Sequence, residues 1–200
     1  MGSEMCIRDS IQCLRYGGDV AVACYAVISY IVFPVQYLLT GIGDGVQPLM
    51  SYYNGAGRKK EVRQIKKIAY LSAIFLGICA TIGAIATSTY LAKGFGLSEK
   101  AESYFGRGMQ ISACAFVLIG VARFNLSSLN ATMHTREATS LTYIESMVIS
   151  PILLFLLPMW LGIKGIWLSL PATAVVMNLL FLLFEMKTVE SKKIREEGNL

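Results

Sequence analysis

Charge is scarce in this 200-residue chain: Asp, Glu, Lys and Arg make up 16% of it, against 54% hydrophobic residues, and the mean hydropathy is +0.55. A water-soluble domain of this length needs more polar residues to cover its surface, so a soluble globular fold is excluded. Paired cysteines are missing too. Cys6, Cys13, Cys24, Cys79 and Cys114 show no CxxC and no paired spacing, which reads as small apolar packing residues rather than disulfides or metal ligands. The single histidine, His134, has only Glu137 at helical spacing, too little for a metal site. No Gly-Lys-Ser/Thr follows the glycines at 41–45, and no Ser/His/Asp or Cys/His set is readable. Enzymatic chemistry has no support here, and neither a cofactor nor a metal is expected.

What the chain does contain is long apolar runs. Five are long enough to cross a bilayer as helices, at about 20 residues each: residues 20–39, 68–90, 110–129, 141–161 and 166–184. The fold class expected is an all-α polytopic membrane protein with five transmembrane helices. The net charge of +5 gathers in two places, a segment from Arg58 to Lys67 and a tail from Lys187 to Arg195, both flanking apolar runs. That distribution fits membrane orientation rather than a nucleic-acid face.

The positive-inside rule makes the loop with Arg58, Lys59, Lys60, Arg63, Lys66 and Lys67 cytoplasmic. Alternation then places 92–108 outside, 130–140 inside, 162–165 outside and the tail 188–200 inside. Trp160 and Trp167 bracket the short outer turn as interfacial aromatics do. Gly41, Gly43, Asp44 and Gly45, with Gln47 and Pro48, form a glycine-rich knuckle expected to end the first span and turn the chain. Residues 58–67 are expected to lie on the inner surface as a short amphipathic helix, with Val62, Ile65 and Ile68 as its apolar stripe.

Residues 1–10, MGSEMCIRDS, carry no signal peptide and no amphipathic period. They resemble a translated adapter or cloning scar, and together with the odd span count they suggest a fragment whose upstream spans are missing.

Ionisable groups within spans are costly and so are functional candidates. Glu145 lies about one turn into the fourth span. It fits either an interfacial carboxylate paired with Arg136 or a proton or organic-cation site. Asp44 is read as satisfying loop backbone donors, and Asp19 as a helix-start residue. Arg123 either pairs with a carboxylate across the bundle or reaches toward the headgroups. Gln36, Gln47, Gln110, Asn125 and Asn130 suit interhelical hydrogen bonds or the lining of a polar cavity. Pro34, Pro151 and Pro158 interrupt helical hydrogen bonding and are hinge candidates.

GIGDGVQPLMSYYNGAGRKKEV resembles the segment that joins two helices of a lobe in multidrug and toxic compound extrusion (MATE) transporters. PILLFLLPMWLGIKGIWLSLPAT resembles the last helix pair of that family, and the two matches stand in the right order and at the right separation. The resemblance implies twelve helices in two six-helix lobes, with residues 11–187 as helices eight to twelve. It also implies antiport at the plasma (inner) membrane, cationic or amphipathic drugs leaving as H+ or Na+ enters. The partners it implies are the lipid bilayer, the small-molecule substrate and a missing N-terminal lobe of the same chain, with no nucleic acid. One departure stands out: sodium-binding members carry carboxylates on the first and fourth helices of this lobe. The first helix is absent, and the corresponding span at 110–129 has no Asp or Glu. Two alternatives remain open, a lipid or lipid-linked oligosaccharide flippase of related layout and a non-transporting membrane scaffold. A flippase usually needs several basic cavity residues to hold phosphates, and only Arg123 qualifies.

Overall fold

A computed structural model describes the backbone of residues 2–95 and 99–197, and side chains from Arg8 to Met186 except at 89, 96–100 and 103. The described residues are helical almost throughout. The elements are α1 (Gly2–Gly55), α2 (Lys59–Gly94), α3 (Glu99–Ala131), α4 (Thr135–Ile144), a single π turn (Glu145–Ile149), α5 (Ser150–Leu161) and α6 (Ile163–Glu197). Five stretches are long and apolar enough to cross a membrane: Arg8–Gly55, Lys59–Ser88, Tyr104–Ala131, Thr135–Leu161 and Ile163–Met186. The chain is thus an all-α polytopic membrane protein. Four of the five expected spans lie within one of these stretches, and the other, 68–90, runs two residues past Ser88 while staying within α2. Of the tail, residues 188–197 continue α6, while its side chains and residues 198–200 lie outside the described residues, as do the side chains of 1–7.

α1 is two segments joined at Gly18, whose φ of 66° and ψ of −167° no helix contains. The part before Gly18 doubles back, so Cys13 and Ala21 share an apolar cluster with Leu154 and Ile166. After Gly18 the helix continues unbroken through the glycine knuckle and Pro48 to Gly55, against the expected turn at 41–45. The turn comes later, at Gly57 with φ 72°. Two contacts explain the difference. Met50 is buried against Ala69, Phe124 and Ala131, which holds the last turns of α1 in place. Gly43 serves close approach instead of turning: a Cβ there would lie 2.5 Å from Ser127 Oγ.

The basic segment is likewise no separate surface helix. It is the first turns of α2, with Val62 and Ile65 packed inward on the Met50 and Phe124 cluster and Ile68 facing out. The expected loop at 92–108 is mostly helix, because Ala101, Phe105 and Met109 repeat every four residues and bury one stripe against Cys24 and Ile28. The expected loop at 130–140 shrinks to 132–134, where Met133 takes φ 69°.

α3 is the centre of the bundle, packing on α1, α2 and α6. Half of its most apolar stretch (50%) is buried, against 11% for the fourth span. Small residues allow this. A Cβ on Gly77 of α2 would come within 2.8 Å of Val117 Cα, and one on Gly108 within 2.9 Å of the Trp167 ring. α5 and α6 form a tight hairpin at Gly162, where Gly165 sits against the Leu157 carbonyl.

Candidate functional site

A cavity of about 370 Å³ opens between α1, α3, the π turn and α6. At one end of it the Arg123 guanidinium of α3 forks onto the Glu145 carboxylate. Nη2 donates to Oε1 at 2.9 Å and Nη1 to Oε2 at 3.2 Å. Both side chains are largely covered yet keep access to the cavity, at 30% and 16% exposed. Sequence reasoning offered Arg136 as the partner of Glu145. The partner is Arg123, the cross-bundle pairing being the one a helix interior favours, because two charges in low dielectric hold each other most strongly at bidentate geometry.

Local sequence explains where Glu145 points. Glu145 opens the π turn, in which the Ser150 N–H bonds the Glu145 carbonyl five residues back. Pro151 follows at once; its ring crowds the preceding turn and it brings no N–H, a disturbance that a widened turn accommodates. Single π turns of this kind recur at functional sites in helices.

The rest of the lining is rich in hydroxyls. Thr40 donates to the Gln36 carbonyl at 2.8 Å, Ser146 to Thr142 at 2.9 Å, and Thr173 to Ser169 at 2.8 Å. Each hydroxyl proton is committed to its own helix, so the oxygen faces the cavity as an acceptor. Trp167 stacks on Tyr25, ring centroids 6.0 Å apart, and supplies an aromatic wall. This partly aromatic, hydroxyl-lined space, in which the carboxylates of Glu145 and Asp9 stand with the guanidiniums of Arg123 and Arg8, suits an amphipathic ligand whose polar end bears positive charge or N–H donors. Tyr25 also donates to Asp9, and Arg8 and Asp9 reach the same cavity from the 1–10 segment.

Of the remaining candidates, Gln36 lines the cavity, and Pro34 stands exposed on the same helix. Asn125 is elsewhere: it is buried on another face of α3, accepting from Tyr70 Oη of α2 and donating to Asn178 Oδ1 of α6 at 3.3 Å. Asn178 Nδ2 in turn donates to the Leu118 carbonyl at 2.9 Å. Asp44 accepts from Ser127 Oγ at 3.3 Å instead of capping loop donors, since the chain there is helix. Gly41 and Gly45 face open space, Gln47 is half-buried and Pro48 exposed, and none of them reaches the cavity. Pro151 adjoins the π turn. His134, at the start of α4, and Glu137, in its first turn, approach to 3.7 Å away from the cavity. Tyr70, Asn178 and the hydroxyls were missed. The i,i+4 pairs Thr142/Ser146 and Ser169/Thr173 were the available signal, a polar stripe along each of two apolar helices.

The MatE family model matches residues 5–156. The multidrug export protein MepA of Staphylococcus aureus (strain MRSA252) is 23% identical over 188 residues, covering 92% of this chain and 41% of that protein. Its counterpart in Staphylococcus haemolyticus (strain JCSC1435) is 25% identical over 173 residues, 85% of this chain and 38% of that protein. The chain therefore spans about two-fifths of the length of these relatives. Among solved structures, a mutant of the Vibrio cholerae MATE transporter VcmN superposes with a TM-score of 0.83 at 16% identity, over 96% of this chain and 43% of that one. A family match over more than half of its length, on a bundle of the same fold, means that the chain belongs to the MatE family.

Proposed function

We propose that this chain forms part of a secondary antiporter that exports cationic or amphipathic compounds in exchange for H+ or Na+ by alternating access. The observation that carries the reading is the Arg123–Glu145 pair inside an acceptor-lined cavity. Glu145 can hold one positive partner at a time. With Arg123 it is neutralised; a proton, a metal cation or a cationic substrate takes that place and releases the guanidinium. Occupants that exclude one another at a single carboxylate, each favouring a different helix arrangement, give exchange. The names of the MepA relatives agree with a multidrug substrate range. In this reading the rest of the transporter, including an N-terminal lobe, completes the pathway, and the protein lies in the plasma membrane with the basic segments cytoplasmic.

Of the two guanidiniums on the cavity, Arg123 is neutralised by Glu145 and Arg8 has the Asp9 carboxylate beside it, so a phosphate-bearing lipid headgroup would meet no free cluster of cations, which favours drug antiport over lipid flipping. The test uses everted vesicles containing the complete gene product and a fluorescent cation. Export should collapse when the H+ and Na+ gradients are removed. Gradient-independent export would end the coupling reading, and absence of export beside movement of a labelled lipid would favour the flippase.

A further inference from the structure

The Arg58–Lys67 segment has a geometry that charge counting alone does not convey. On α2, Lys60, Arg63 and Lys67 share an arc of about 80° with Leu71, Ile74 and Ile78, at 100° per residue. All six are exposed. The opposite face, Val62, Ile65 and Ala69, is the one packed against the bundle. The basic stripe therefore points away from the helices that α2 packs against, and an outward apolar stripe continues it along the same helix. From Ile68 to Ser88, the end of the apolar stretch, is about 30 Å of helix, the thickness of the hydrocarbon layer. With Ile68 at its edge, Lys67 lies at the boundary, and Arg63 and Lys60 stand roughly 6 and 10 Å beyond it, within and just above the headgroups. Among the described residues none of the three is paired with a carboxylate.

We infer that Lys60, Arg63 and Lys67 form a binding site for an anionic phospholipid, with the headgroup phosphate among the three cations and an acyl chain along Leu71, Ile74 and Ile78. Charge complementarity selects the headgroup, and continuity with the apolar stripe selects a lipid over a soluble anion. The site is separate from the cavity and does not depend on what the cavity transports.

The full chain, purified in neutral detergent, is titrated with phosphatidylglycerol and with phosphatidylcholine, and bound lipid is counted by native mass spectrometry. The Lys60→Gln/Arg63→Gln/Lys67→Gln variant should lose about tenfold or more in phosphatidylglycerol affinity, since each basic residue near an anionic surface contributes roughly fivefold. The Arg58→Gln/Lys59→Gln/Lys66→Gln variant removes the same charge from the same segment off the stripe, and should lose clearly less affinity than the stripe variant, because none of the three belongs to the proposed headgroup site. Equal losses in both would mean diffuse attraction and overturn the site, as would an unchanged stripe variant. Glycerol 3-phosphate displacing the lipid at equal concentration would also overturn it, by showing recognition of phosphate alone. The charge-preserving Lys60→Arg/Arg63→Lys/Lys67→Arg variant should fold and bind as the parent does; a loss there would show that charge is not what is read.

Discussion

Arg123 and Asn125 stand two residues apart on the same helix, yet they belong to different kinds of polar system. The two side chains leave α3 about 200° apart. Arg123 turns to an open cavity and the Glu145 carboxylate, while Asn125 turns into a closed seam where Tyr70, Asn178 and a backbone carbonyl occupy one another. A group in the seam cannot change partner without leaving a buried donor or acceptor bare. A group at the cavity can, because a ligand or water replaces the partner it loses. Polarity within a membrane helix thus does not by itself mark function; access decides.

The sharpest way to test that contrast is Glu145→Gln. A neutral amide removes the charge for which proton, cation and substrate compete in the proposed exchange, so gradient-driven export by the complete transporter should fall about tenfold or more. Thermal stability in detergent should change far less, because the site is partly solvated. An unchanged export rate would remove Glu145 from the pathway.

Asn125→Leu should do the reverse. It breaks two interhelical hydrogen bonds that, in a membrane protein, average about 0.6 kcal/mol each and reach about 1.7. The unfolding midpoint should drop by an amount equivalent to about 1–2 kcal/mol, with export per folded molecule retained. If instead export vanished while stability held, seam and cavity would be one system. The smallest effect is expected of Tyr70→Phe, about 0.6 kcal/mol of stability and no change in export, read in the same melts.

How far the sequence foretold this arrangement differs from residue to residue. The five spans were legible because apolar length reflects bilayer thickness directly. The Arg123–Glu145 pair was half legible. Each residue stood out as an ion in an apolar run, but which cation met the carboxylate depended on how two helices face each other, information that composition does not hold. Gly43 misled, since a glycine needed for a backbone turn and one needed for close helix contact look alike in one dimension. Asn178 passed unnoticed because a lone amide in MNLLF barely lowers the hydropathy of its window. The basic segment at 58–67 was given the wrong form, because Val62 and Ile65 fit a membrane surface and a protein interior equally well.

The π turn at Glu145–Ile149 has a consequence for the phase of the fourth span. In a regular α-helix Glu145 and Leu154, nine residues apart, would point in opposite directions, at about 180°. Leu154 is buried in the bundle with Cys13, Ala21 and Ile166, so a regular helix would aim Glu145 at the lipid. One widened turn takes up about a residue more than an α turn and reduces that angle to roughly 90°. The carboxylate then faces the cavity while the leucine keeps its seat. The fourth span behaves as two helices sharing one axis at different clock settings, and the extra residue is the offset between them.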